Sequence, residues 1–252
     1  EVESAEAILL LKEGNERFVS GRILNDDLSK EKREILTVEG QKPFAIILSC
    51  ADSRVPPEII FDQGIGDLFI VRDAGNVVDP VALGSIEYGA EHLGAKVIMV
   101  LGHSKCGAVK ATVDGGTPPG SIGAIVERIA PVVKRIKEEN GTVTKAALYK
   151  ETEDENILEQ AHQIMGSPII KELLEKNEIK IIGGKYDIET GEVEFIETIS
   201  EEESTNTEKT GEATVTPSAA SEKSEGAPSP TTVTETVNAD KEIIVIPAGG
   251  SN

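Results

Sequence analysis

The sequence predicts an α/β fold: a mostly parallel central sheet flanked by helices, with an N-terminal helical arm and a disordered acidic C-terminal tail. Three observations carry that prediction. Four apolar runs of strand length, "PFAIILSC" (43–50), "DLFIVRDAG" (67–75), "KVIMVLGHS" (96–104) and "IKIIGGKYD" (179–187), are continuous and rich in β-branched residues. Continuous runs suit strands covered on both faces, as in a parallel sheet. Helical stretches separate them, and strand followed by helix, repeated, is the pattern of a layered α/β protein. Beyond residue 199 both the composition and the periodicity change.

Taken in order, residues 1–36 read as the helical arm. "SAEAILLLKEGNERFVSG" offers Ser4 as an N-cap, apolar positions at Ile8, Leu11 and Phe18, and Gly21 as a stop. Such an amphipathic helix packs either on its own domain or across a partner. Residues 37–199 form the α/β domain, with helices expected at "DPVALGSIEYGAEHLG" (79–94), "GSIGAIVERIAPVVKRIKEEN" (120–140) and "DENILEQAHQIMGSPIIKELLEKN" (154–177). "YDIETGEVEFI" (186–196) reads as a hairpin turning at Thr190-Gly191. Residues 200–252 form the tail. Its first part is crowded with Ser, Thr, Glu and Pro and buries too little apolar surface to offset the entropy of ordering. It ends in "KEIIVIPAGGSN", a short apolar patch that either docks on a sheet edge or stays unstructured.

The formal net charge of −20 argues against nucleic acid, whose phosphates need Lys and Arg, and against anionic membrane surfaces. No run approaches the roughly 20 apolar residues of a membrane span. The first residue is Glu1 rather than Met, which with the acidity suits an exported, periplasmic protein, a cytoplasmic one being the alternative. Two cysteines suffice for one disulfide in an oxidising compartment, though a domain of this size does not need it for stability.

The chemistry concentrates at two strand ends. "LSCADSRVPPE" closes the first run and puts Asp52 and Arg54 just after Cys50; "LGHSKCG" closes the third and carries His103 and Cys106. In open α/β sheets ligands bind outside the carboxyl ends of the strands. Two thiols and an imidazole are a ligand set known for catalytic zinc, with the fourth position left to water or substrate. Two alternatives stand beside it. The cysteines and histidine are ordinary core residues, or the Asp52–Arg54 pair is a structural salt bridge.

"CADSR" followed by "HSKC" resembles the β-class carbonic anhydrases, and the likeness continues through "GDLFIVRDAGN", "GSIEYGAEHLGAKVIMVLGHSKCGAVKAT" and "SPIIKELLEKNEIKIIGGKYDIETGEVEF", over nearly all of residues 5–198. The resemblance implies one Zn2+ per chain on Cys50, His103 and Cys106, and reversible hydration of CO2 to bicarbonate and a proton by zinc-bound hydroxide. It makes Asp52 the acceptor that hydrogen-bonds the zinc-bound water, and Arg54 the group that holds Asp52 ionised and aimed. In the family's inactive form the aspartate swings onto zinc and displaces the water. The subgroup that does this carries a Trp shortly before the first Cys; this chain has no Trp and has Gln41, matching a substrate-contacting Gln of the open-site subgroup. Phe69, Ala74 and Tyr88 match positions that line the CO2 pocket, often from a partner subunit, although Phe69 and Tyr88 also suit a plain core. Ala74 replaces a larger aliphatic residue often found there.

Gly102 fits a close backbone approach to the metal loop, and Gly107 opens the following helix. Arg72 and Asp73 either orient Asn76 or form a solvated ion pair. His92 and His162 are structural or surface histidines, or one of them shuttles protons. Family members form homodimers or higher homo-oligomers whose N-terminal helices wrap across the partner. Two other functions are compatible with the same residues. One is a hydrolase of carbon disulfide or carbonyl sulfide on the same zinc. The other is a binding protein whose zinc is structural or whose cysteines form a disulfide.

Overall fold

The computed structural model describes residues 2–24, 28–196 and 199. The four apolar runs become β1 (Ala45–Ser49), β2 (Leu68–Arg72), β3 (Val97–His103) and β4 (Lys180–Tyr186), and the far arm of the hairpin is β5 (Val193–Ile196). They form one sheet in the order β2-β1-β3-β4-β5. Every neighbouring pair is parallel except β4 and β5. Chain order therefore reverses direction at β1, with β2 on one side and β3 on the other. In doubly wound sheets that reversal opens a crevice at the carboxyl ends of the two strands. Ser49 of β1 lies in register with Leu101 of β3, so Cys50 and His103 emerge side by side into that crevice.

The central strands are apolar on both faces because both faces are covered. Ile46, Leu48, Ile98 and Val100 point into one core layer, with Ile86, Ile157 and Ile164 of the flanking helices. Ala45, Ile47, Met99 and Leu101 point the other way, against Ala7, Leu11 and Phe61. A third cluster gathers Cys50 and Cys106 with Val109, Val113, Ile129 and Val132. The edge strand β2 differs: its residues are only half-buried, and Arg72 is exposed.

The helices are α1 (Ser4–Val19), α2 (Lys30–Glu39), α3 (Pro57–Ile60), α4 (Pro80–Glu91), α5 (Gly107–Asp114), α6 (Ile122–Asn140), α7 (Lys145–Met165) and α8 (Pro168–Glu175). Glu3, not Ser4, occupies the N-cap of α1, and its side chain makes no capping bond. The N-terminal segment is two helices rather than one arm, and they behave differently. α1 docks on its own sheet through Ala7 and Leu11. Asn15 ties it to the hairpin, donating to Gly191 O (2.9 Å) and accepting from Val193 N–H (2.9 Å). α2 is capped by Ser29 and buries none of its residues.

The stretch expected as one helix over 154–177 is broken and begins earlier. Thr144 caps α7 by accepting from Ala147 N–H (3.2 Å), a signal that the polar run after it obscures. α7 ends at Gly166, and Ser167-Pro168 starts α8 afresh. The hairpin turns as expected, with Gly191 at φ 82°. The tail, including "KEIIVIPAGGSN", lies outside the described residues. Among those described, no helix is long and apolar enough to cross a membrane.

Candidate metal centre

Two strand ends and a helix start build the site. Cys50 follows β1, His103 ends β3, and Cys106 is the residue before α5. Lys105 sits between them at φ 59°, a left-handed conformation that turns the loop sharply enough for Cys106 to face back toward β1. The two sulfurs and an imidazole nitrogen of His103 lie within 4.8 Å of one another, and all three residues are buried. Both cysteines are free thiols, so the disulfide alternative is not the arrangement found.

The donor set fits a zinc ion. His103 Nδ1 donates to the Ser104 carbonyl (2.9 Å), which leaves Nε2 as the unprotonated nitrogen. Nε2 is buried and has no hydrogen-bond partner among the described residues, a costly arrangement that a metal ligand explains. The Cys50 sulfur is prepared for negative charge. A hydrogen bond from Cys106 pulls the Cys50 thiol well below its ordinary value against the opposing effect of burial, and the Gly75 N–H adds to it from 3.2 Å. The same bond to Cys50 pushes Cys106 up, while the Ala108 and Val109 amides at the start of α5 act in the opposite direction. A metal ion bound there would take the place of the thiol protons.

Asp52 stands outside this cluster. Arg54 grips it in a fork, Nε to Oδ1 at 2.9 Å and Nη2 to Oδ2 at 2.7 Å, and the Arg54 amide adds a bond to Oδ1 at 3.0 Å. The guanidinium hydrogen bonds hold the carboxyl well below the usual carboxylate range. The carboxylate is turned to the arginine rather than into the cysteine–histidine cluster.

Arg72 does something the sequence did not suggest. It reaches across from the edge strand to the Cys50 carbonyl (3.1 Å) and the Asp52 carbonyl (2.7 Å), bracing the loop that carries both side chains. The expectation of an ion pair with Asp73 gives way to this brace, because Ser49 and Arg72 are register partners and the loop is the nearest acceptor. On the other flank the Cys106 amide donates to Glu153 Oε1 of α7 (3.2 Å), and burial pushes Glu153 upward. Glu153 carries no local motif, so no signal in the sequence marks it.

The expected substrate residues are not gathered in one place. Ala74 directly precedes Gly75 and so stands at the rim of the site. Phe69 is three residues back along β2 from Arg72, about 10 Å at the rise of a strand. It lies beside Tyr88 of α4, ring centroids 6.3 Å apart. Phe69 also lines a groove of about 490 Å³ that runs along the edge strand past Asp73, Val81 and Ser85. Gln41 precedes β1, at the opposite end of the strand from Cys50, and is exposed. Gly102 has a packing reason of its own: a Cβ there would come within 2.6 Å of Ile157, so it allows the close approach of α7 to β3. His92 is exposed, its ring 5.2 Å from Tyr88, whereas His162 keeps a buried, unpartnered Nε2 among the described residues.

Comparisons with known proteins agree with this geometry. The family model described as carbonic anhydrase matches residues 45–193. The chain is 43% identical to carbonic anhydrase 2 of Mycobacterium tuberculosis over 186 residues, 72% of this chain and 87% of that protein. It is 41% identical to a carbonic anhydrase of Mycolicibacterium smegmatis over 190 residues, 73% and 89% of the two chains. Among solved structures, the Coccomyxa β-carbonic anhydrase in complex with acetazolamide superposes with a TM-score of 0.60 at 27% identity, covering 66% of this chain and 77% of that one. With its cysteine–histidine cluster at the sheet's switch point and these relatives, the chain belongs to the β class of the carbonic anhydrase family.

Proposed function

We propose that this chain is a zinc-dependent carbonic anhydrase that interconverts CO2 and water with bicarbonate and a proton, using Cys50, His103 and Cys106 as metal ligands and Asp52 and Arg54 as its catalytic pair. The observation that carries the assignment is the buried three-residue cluster with its unpartnered imidazole nitrogen, set beside a carboxylate already held by arginine. Bound there, zinc lowers the pKa of water to about 7 and so supplies a nucleophile at neutral pH.

The chain's own residues do the rest. Asp52 stays ionised and serves as hydrogen-bond acceptor for the attacking water. Arg54 fixes its direction and keeps it from turning onto the metal ligands. Arg72 holds the backbone beneath both. The apolar cluster around the two sulfurs limits access of bulk water and favours a nonpolar substrate.

Gln41, Phe69 and Tyr88 complete the CO2 pocket across a contact with a second copy of the chain, and the enzyme is a homo-oligomer. Their distance from the ligands within one protomer supports this, as does the exposed apolar surface nearby: Val38 of α2 is 87% exposed and Val81 of α4 77%.

The test is stopped-flow CO2 hydration on protein whose zinc has been quantified. Turnover already present near neutral pH, with one zinc per chain and loss of both in Cys106→Ser, is the expected result. Turnover confined to alkaline pH would mean that Asp52 closes the site. One zinc per chain with no hydration at any pH would overturn the assignment and point to carbon disulfide or carbonyl sulfide.

A further inference from the structure

A line of four hydrogen bonds runs through the core to one of the two sulfurs. Gln160 and Asn156 lie one turn apart on α7, each 1% exposed among Ile157, Ala161 and Ile164. Gln160 Oε1 accepts from Val78 N–H (2.8 Å), and its Nε2 donates to Asn156 Oδ1 (3.0 Å). Asn156 Nδ2 donates to the Gly75 carbonyl (2.9 Å), and the Gly75 N–H donates to Cys50 Sγ (3.2 Å). Two carboxamides in an apolar core are costly unless bonded, and each makes two of its bonds along this one line. Gly75 is also confined sterically. Its φ of 78° suits glycine, and a Cβ would lie 2.8 Å from Ile129 and 3.0 Å from Ala108. Packing on one side and Asn156 on the other leave its amide a single direction, toward the sulfur.

We propose that Asn156, anchored by Gln160, is a positioning residue of the metal centre: it holds Gly75 so that the amide draws charge from the Cys50 sulfur. A thiolate that accepts a hydrogen bond gives less charge to its metal. Two thiolates load a zinc ion with negative charge, and this amide offsets part of that load. The inference rests on the zinc reading of Cys50, His103 and Cys106. It assigns a purpose to buried amides that bracing the loop at residues 73–78 does not by itself require.

The experiment compares the wild type with Asn156→Leu, close in shape but unable to donate. Zinc affinity is read by chelator competition, and the sulfur-to-metal charge-transfer band in the cobalt(II)-substituted protein. The expected result is zinc binding weaker by roughly 10- to 100-fold, with the band moved to longer wavelength because the unbonded sulfur is a better donor. Should Asn156→Leu not fold, Gln160→Met keeps the Asn156–Gly75 bond but frees its anchor, and the same two readouts are expected to move in the same direction by less. A lowered melting temperature with affinity and band unchanged would reduce the relay to a structural brace and overturn the proposal. Wild-type protein showing no charge-transfer band with cobalt would remove the metal reading itself, and the proposal with it.

Discussion

The carboxyl ends of β1 and β3 and the outer flank formed by β2, α4 and α2 are finished to different degrees. At the strand ends the three candidate ligands are buried together, and the groups beside them are oriented by hydrogen bonds within one chain. Cys50, His103 and Cys106 converge, Asp52 is forked by Arg54, and Arg72 and Glu153 brace the two loops. On the outer flank Phe69 is only half-buried, Tyr88 is exposed beside it, Gln41 faces solvent, and α2 has no buried residue. The contrast separates two tasks. Holding a cation requires a dry, closely packed surround, which one core supplies. Holding a small nonpolar substrate requires a wall, which under the proposed function a second copy of the chain would complete on this flank.

Three variants break or sharpen that contrast, each leaving Cys50, His103 and Cys106 in place. Asp52→Asn acts at the strand ends: its side chain keeps the shape but loses the charge that Arg54 holds. CO2 hydration at neutral pH is expected to fall by about 10²- to 10⁴-fold, the range for losing a positioned proton acceptor, with zinc content unchanged. The pH dependence of stability supplies a second readout. Because the folded carboxyl lies below its ordinary value, its contribution is fully present above about pH 4 and is lost as pH falls through the folded value. The urea-stability gap between wild type and variant should therefore be constant near neutrality and shrink in acid; a gap that widens in acid would contradict the Asp52–Arg54 geometry.

On the flank, Val38→Glu combined with Val81→Glu puts charge on two exposed apolar positions without touching the core. Sedimentation is expected to show a smaller assembly, and kcat/KM for CO2 to drop by about 10-fold or more, while zinc remains at one per chain. Full activity in a monomer would show that one chain builds the whole pocket. The smallest effect falls between the regions. Gly102→Ala pushes a methyl group against Ile157 and should cost about 1–3 kcal/mol in urea unfolding, with zinc retained. Loss of zinc instead would restore the expectation that this glycine serves the metal loop.

Much of this was legible in the residues. The strands announced themselves by continuous apolar runs, and the hairpin by Thr190-Gly191. The long helix over 154–177 was misread because Thr144 caps it from within a polar stretch and Ser167 restarts it, signals that periodicity alone passes over. Asp52 and Arg54 were readable because their contact spans two residues and depends on one loop. Arg72 was not, since its partners lie 22 and 20 residues away and are chosen by strand register.

By itself, then, the sequence determined the class of fold and singled out Cys50, His103, Cys106 and the Asp52–Arg54 pair as candidates, because each lies in a short motif at the end of a strand. Only the tertiary structure decided which backbone carbonyls Arg72 braces and that Gly102 makes room for α7. It alone ran a hydrogen-bonded line from Gln160 to Cys50, through an Asn156–Gly75 bond that joins residues 81 positions apart. Those contacts depend on how one helix lies across the sheet. Hydrophobic patterning specifies that such a helix is buried, but the direction in which each polar group on it points is set by packing.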